Sequence, residues 1–238
     1  MTNGSVRFLT RTAAQEAVAA EGWRYLLGTY CLSVPVASLA EGCAVAARAV
    51  AAAGPRADDH LRVDVRPDRV ELSLATRAVG RVTDLDAAAA RAVSAALAVP
   101  AAPATGVARP VQMLELAIDT QDAARIRPFW KAVLGYVDDP AGDASAPDAA
   151  LVDPTGQLPA LWFQQMDAPR PQRNRIHLDV TVAHDEAQSR VDAALAAGGR
   201  LVDDSFARSF WVLADADGNE VCVCTWLDRD ERAAAQAG

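Results

Sequence analysis

The chain has 238 residues, 51% of them hydrophobic, and a formal net charge of −8 with a pI near 4.9. That is enough material for a sizeable core, and it excludes a disordered chain. Phosphate backbones are held by clustered Lys and Arg, so the acid excess excludes nucleic acid as an expected partner.

No apolar run reaches the roughly 20 residues of a membrane span, and Met1–Arg11 lacks the apolar core of a signal peptide. No membrane partner is expected, and the expected location is cytoplasmic. The four cysteines, Cys31, Cys43, Cys222 and Cys224, have no CxxC spacing, which indicates neither a zinc site nor a disulfide framework. Cys222 and Cys224 share one face of a strand and read as small packed side chains.

In chain order, Thr12–Ala20 reads as a short helix and Gly22–Val36 as strand material broken at Gly28. A long Ala-rich helix follows from about Val36 to Ala53, with Leu39, Cys43, Ala46 and Val50 along one side, stopping at Gly54-Pro55. Leu61–Val65 and Val70–Ala75 alternate around Arg66-Pro67-Asp68, which predicts a hairpin with one solvated face. Thr83 and Asp86 then form a capping box ahead of a helix running to Leu97. Pro100–Pro110 has three prolines and no periodicity, so it reads as a linker between domains at 8–99 and 111–230.

Beyond it, one unit occurs twice. An offset of 62 residues lays Glu115 on His177, Leu116 on Leu178, Ile118 on Val180, and the turn Asp153–Gly156 on Asp215–Gly218. A repeat of this size means that each copy buries its apolar face against its twin. The first copy reads as strand Val111–Ile118, helix Asp122–Leu134 closed by Gly135, and strands near Ala149–Val152 and Ala160–Met166. Pro128 inside that helix costs roughly 3 kcal/mol, which predicts a kink or a late start. The second copy reads as strand Arg175–Val182, helix Glu186–Ala197, and strands near Leu201, Phe210–Ala214 and Glu220–Trp226. The fold class is α+β. An N-terminal antiparallel sheet carries helices on one face, and paired βαβββ modules form a cupped, half-open barrel.

Strand alternation puts Leu114, Leu116, Ile118, Ile176, Leu178 and Val180 toward the helices, and Glu115, His177 and Asp179 toward the concave side. Trp162 and Gln164, in the first copy, and Cys222, in the second, are expected beside that polar set, forming a cavity for a small molecule with polar and planar parts. Arg175 is placed at its rim, where it also suits a simple ion pair. Trp130, Trp162 and Trp211 read first as core and second as ligand-stacking surfaces. His184 is explained by helix capping.

Phe129–Tyr136 (FWKAVLGY), Arg175–Val180 (RIHLDV) and Ala214–Val223 (ADADGNEVCV), on the 62-residue repeat, resemble the glyoxalase-like branch of the vicinal oxygen chelate superfamily over about Val111–Trp226. Metal-dependent members take ligands from the first and last strands of each module, which places Glu115, Ala160, His177 and Cys222 at those positions. Ala160 cannot bind a metal, so the resemblance favours a metal-free site over a divalent ion held by Glu115, His177 and Cys222. It implies a lyase or isomerase in which Glu115 or His177 moves a proton, or alternatively a non-catalytic binder.

Phe8–Leu97 is similar to pterin-4a-carbinolamine dehydratases through Gly22–Gly28 (GWRYLLG), Asp58–Leu61 (DDHL) and Leu74–Asp86 (LATRAVGRVTDLD). His60 matches one histidine of that family's pair. Asp59 stands at the other, and Arg77, which cannot act as a base, stands at the third histidine. The resemblance leaves Asp59 and His60 as an acid/base pair for dehydration, or a fold kept for binding or dimerisation. Both resemblances imply a homodimer.

Overall fold

The computed structural model describes residues 6–99, 111–170, 172 and 175–236, so the linker expected at 100–110 lies outside the described residues. The chain divides into two compact units after Met113. Among the described residues no helix is long and apolar enough to cross a membrane.

The first unit runs α1 (Arg11–Val18), β1 (Arg24–Leu26), β2 (Thr29–Pro35), α2 (Leu39–Ala53), α3 (Ala57–His60), β3 (Leu61–Val65), β4 (Arg69–Leu74) and α4 (Asp84–Leu97). The strands form one antiparallel sheet in the order β1-β2-β4-β3. Alternate residues Tyr30, Leu32, Val70, Leu72 and Leu74 are buried with Val45 and Ala49 of α2 and Ala90 and Val93 of α4, so the helices cover one face as the alternation requires. The break at Gly28 is a tight turn in which Leu27 and Gly28 both take positive φ, 44° and 81°. The Thr83/Asp86 capping box is present at the start of α4.

The second unit holds the repeat. Its first module is β5 (Glu115–Thr120), α5 (Ala123–Leu134), β6 (Val137–Asp138), β7 (Leu151–Val152) and β8 (Ala160–Gln165). Its second is β9 (Leu178–Thr181), α6 (Ala187–Ala196), β10 (Arg200–Asp203), β11 (Phe210–Ala214) and β12 (Glu220–Cys224), followed by α7 (Arg229–Gln236), which the pattern did not announce. Each module makes a four-stranded mixed sheet, β6-β7-β8-β5 and β10-β11-β12-β9, and neither closes into a barrel.

Two first strands start later than the pattern predicts, at Glu115 and Leu178. Leu114 and Ile176, expected against the helices, therefore lie outside the strands and are 67% and 80% exposed. The helix α5 begins at Ala123, capped by Asp122, and contains Pro128, so the late start expected of that proline does not occur.

The modules share one core. Ile126, Phe129, Trp130 and Val133 of α5 pack with Val191 and Ala194 of α6 and with Leu213, Val221 and Val223 of the second sheet. A Cβ at Gly199 would collide with the Phe129 ring, so only glycine permits this approach of the second module to the first. Arg190 of α6 donates to the Val133 carbonyl at 3.2 Å, satisfying a free acceptor at the end of α5.

The repeated turns are built alike. Asp153 accepts from the amides of Thr155 and Gln157 at 2.9 and 2.8 Å, and Asp215 from those of Asp217 and Asn219, both at 2.9 Å. Burial alone would raise the Asp153 pKa, but the Thr155 hydroxyl and the amides of Thr155, Leu158 and Gln157 outweigh it and hold it down to about 2.

The copies then diverge. Asp215 is fully buried and also takes the indole N–H of Trp130, 1% exposed, at 2.9 Å. The Thr120 hydroxyl donates to Asp217 at 2.6 Å, and Arg125 donates to the Ala216 carbonyl at 3.1 Å. Three groups of the first module thus fasten a turn of the second.

A buried carboxylate that loses one donor leaves desolvated charge behind, and a smaller ring leaves a void. Trp130→Phe should therefore lower unfolding stability by about 2 kcal/mol, read as a lower urea midpoint at unchanged slope. Stability within about 0.5 kcal/mol of the parent would show that the indole hydrogen bond contributes little.

Candidate functional site

Fastening the turn leaves a cleft of about 940 Å³ inside the second unit. The first module lines it with Leu116–Asp119, Arg125 and Trp130. The second lines it with Arg175–Leu178 and the clamped turn Ala216–Glu220, and Met166, Pro169 and Arg170 contribute from the connecting segment. Arg125 lies 3.7 Å from Asp217, and Arg170 lies 3.6 Å from Asp119. The lining therefore mixes apolar surface with charges of both signs.

Of the residues singled out from the sequence, His177, Arg175 and Trp130 line this cleft. Glu115, Asp179, Trp162, Gln164 and Cys222 are not among its lining residues. Glu115, Asp179, Gln164 and Trp162 are exposed, the last at 37%. Trp211 is not a ligand-stacking surface. It is 8% exposed and packs in the shared core with Leu213, two residues along the same strand face. Sequence reasoning missed Asp119, Arg125 and Asp217. The repeated Asp-x-x-Gly turn was visible, but not that one copy would be drawn against the opposite module.

Beside the cleft, His177, Asp179 and Cys222 bring one donor atom each to within 4.8 Å of one another. The cause is register. In the first module Glu115 pairs with Ala160, whereas in the second the equivalent of Ala160, Cys222, pairs with Asp179 and not with His177. A shift of two residues keeps every side chain on its face and brings Asp179 directly beside the thiol. His177 Nε2 lies 3.4 Å from Asp179 Oδ1. Burial first, and then a hydrogen bond to Asp179, push the Cys222 thiol up to about 12.

The metal set implied by the family resemblance does not fit these residues. Ala160 has no donor atom, and among the described residues Glu115 joins no cluster with His177 and Cys222.

In the first unit, the carboxylate that orients His60 is Asp86 and not Asp59. His60 Nδ1 lies 2.8 Å from Asp86 Oδ1, both residues buried. Asp86 also accepts from the Thr76 hydroxyl and the Thr83 amide, each at 2.7 Å. Asp59 is exposed and faces Arg56 at 3.4 Å, so the expected Asp59–His60 pair does not form. Arg77 donates to the Leu61 carbonyl at 3.3 Å. His60 Nε2 is buried, and among the described residues it has no hydrogen-bond partner.

The second unit matches a known family. Residues 115–224 fit the model of the glyoxalase-like domain. Among solved structures the chain is similar to a glyoxalase/bleomycin resistance protein/dioxygenase family enzyme from Burkholderia phytofirmans PsJN, at 19% identity over 48% of this chain and 97% of that one, TM-score 0.39. It is similar to the fosfomycin resistance protein FosX from Mesorhizobium loti at 12% identity over 53% and 99%, TM-score 0.39. The N-terminal part is covered by a transcriptional coactivator/pterin dehydratase from Brucella melitensis at 27% identity over 37% and 97%, TM-score 0.33. No curated protein matches the chain. Residues 115–224 are a glyoxalase-like domain.

Proposed function

We propose that the C-terminal unit binds a small organic molecule in the cleft between its two modules. The observation that carries this is the cleft itself, whose volume of about 940 Å³ lies within the usual span of small-molecule sites and whose walls come from both copies of the repeat. Leu116, Ile118, Ile176 and Leu178 offer apolar surface, while Arg175 and His177 offer a cation and a hydrogen-bonding ring. A ligand with one apolar end and one polar or anionic end suits that lining. Of the two alternative proton-moving groups, Glu115 and His177, it is His177 that lines the cleft, so turnover there would rest on that ring. Assembly as a homodimer belongs to the same proposal.

Ala117 lines the cleft and is exposed, so Ala117→Trp fills the space without opening the core. In a thermal-shift screen against a panel of small organic acids, alcohols and aromatic compounds, a ligand at about 100 times its Kd should raise Tm by roughly 5–10 °C. The same compound should give no shift with Ala117→Trp. A shift that survives the substitution, or a panel without a hit, would contradict the proposal.

A second reading rests on one observation in the first unit, the buried His60 Nε2 without a partner beside an Nδ1 oriented by Asp86. A buried ring nitrogen left unpaired costs about 1–3 kcal/mol, a cost that a bound substrate would relieve. In this reading His60, oriented by Asp86 and not by Asp59, exchanges a proton with a pterin carbinolamine. The full chain should then speed its dehydration, and His60→Ala should lower that rate about 100-fold or more. A parent rate equal to background ends this reading.

A further inference from the structure

We propose that the ligand of the cleft is a zwitterion, an amino acid with an apolar side chain, whose carboxylate is taken by Arg175 and whose ammonium is taken by Asp119. This names the ligand class of the cleft reading and rests on that reading. The guanidiniums in the lining, Arg125, Arg170 and Arg175, are matched by the carboxylates of Asp119, Asp217 and Glu220. The cleft is thus balanced in charge, although the whole chain carries a formal −8. A simple anion entering it is drawn by the guanidiniums and opposed by the carboxylates, and a simple cation meets the reverse. A ligand that carries both charges is held by both sets, and its zero net charge spares it the repulsion that an acidic protein exerts on an anion.

These charges differ in how far they are already committed. Arg125 donates to the Ala216 carbonyl at 3.1 Å and Asp217 accepts from the Thr120 hydroxyl at 2.6 Å, so both belong to the clamp on the turn. Arg175 is exposed, and among the described residues it forms no ion pair. Asp119 faces Arg170 at 3.6 Å, longer than the roughly 2.7–2.9 Å of a charge-assisted hydrogen bond, and the two side chains are 44% and 63% exposed. A pair that loose and that wet contributes little, so Asp119 can exchange it for a ligand ammonium while Arg170 turns to water.

The apolar part of the lining sits beside both anchors. Asp119 directly follows Ile118 on β5, and Arg175 directly precedes Ile176 ahead of β9, and all four residues line the cleft. Each charged group is therefore next to an apolar wall residue, as the charged head of an amino acid is next to its side chain. The two anchors come from different copies of the repeat, so a ligand of this class bridges the modules.

The test is titration calorimetry of the full chain with phenylalanine, with phenylpropionate, which lacks the ammonium, and with phenethylamine, which lacks the carboxylate. Phenylalanine should bind about tenfold or more tighter than either of the others, because each of them leaves one anchor unmet. Arg175→Gln should weaken phenylalanine about tenfold and leave phenethylamine unchanged, while Asp119→Asn should weaken phenylalanine and leave phenylpropionate unchanged. Both substitutions alter exposed side chains, so the fold should be intact in each. Phenylpropionate bound as tightly as phenylalanine overturns the inference, as does a phenylalanine affinity that neither substitution changes; in both cases binding in the cleft still stands. Absence of binding by all three compounds also overturns it, and the cleft reading is then decided separately by the wider compound panel and Ala117→Trp.

Discussion

The hydrogen bond from the Trp130 indole to the buried carboxylate of Asp215 is the constraint on which the second unit turns. A fully buried aspartate must have its lone pairs satisfied, or it costs more than the hydrophobic contacts around it return. Asp215 meets that requirement with the amides of Asp217 and Asn219, the Asn219 side chain and the indole. The first three organise the turn, and the fourth ties it to the other module. Once the turn is fastened there, the strand that leaves it, β12, is fixed beside β9, and the space left between β5 and the start of β9 is the cleft.

The clamp also explains how two copies of one unit make a site with two unlike sides. The position 62 residues after Trp130 is Asp192, an exposed residue that accepts from Gln188 on its own helix. The second module thus has no indole to offer the turn of the first, and Asp153 satisfies itself locally with the amides of Thr155, Gln157 and Leu158. A symmetric repeat would clamp both turns. This one clamps a single turn, and the mixed-charge lining lies on that side. The two-residue difference in strand register between the modules adds to the asymmetry, drawing Asp179 to Cys222 while Glu115 pairs with Ala160.

Much of this architecture could be read before any coordinates, wherever the determinants are local. The Thr83/Asp86 capping box, the hairpin of β3 and β4, the paired turns and the burial of Cys222 and Cys224 follow from residues a few positions apart. The glyoxalase-like character of residues 115–224 was legible for the same reason, through the spacing of its turns and first strands. What failed depended on distance in sequence. The family resemblance points to Asp59, at the matched position beside His60, yet the orienting carboxylate is Asp86, 26 residues away. Alternation puts Leu114 and Ile176 toward the helices only if the strands reach them, and they start later, at Glu115 and Leu178. Trp211, whose first reading was core, does pack there with Leu213 on its own strand face, and only its second reading as a ligand-stacking surface falls. The polar set Glu115, His177 and Asp179 was expected around one cavity, but only His177 lines the cleft, since alternation gives the face of a strand and not the neighbour across a module boundary.

The central claim is that a contact between modules, and not the turn's own sequence, holds the wall of the cleft in place. Native-state hydrogen exchange at the Asn219 amide, which donates to Asp215 at 2.9 Å, tests this most directly. The account predicts protection comparable to that of Val221 and Val223 in the adjoining strand, falling about tenfold or more in Trp130→Phe while those strand amides change less. Equal protection of Asn219 in the two proteins would contradict it and leave the turn as a self-sufficient element.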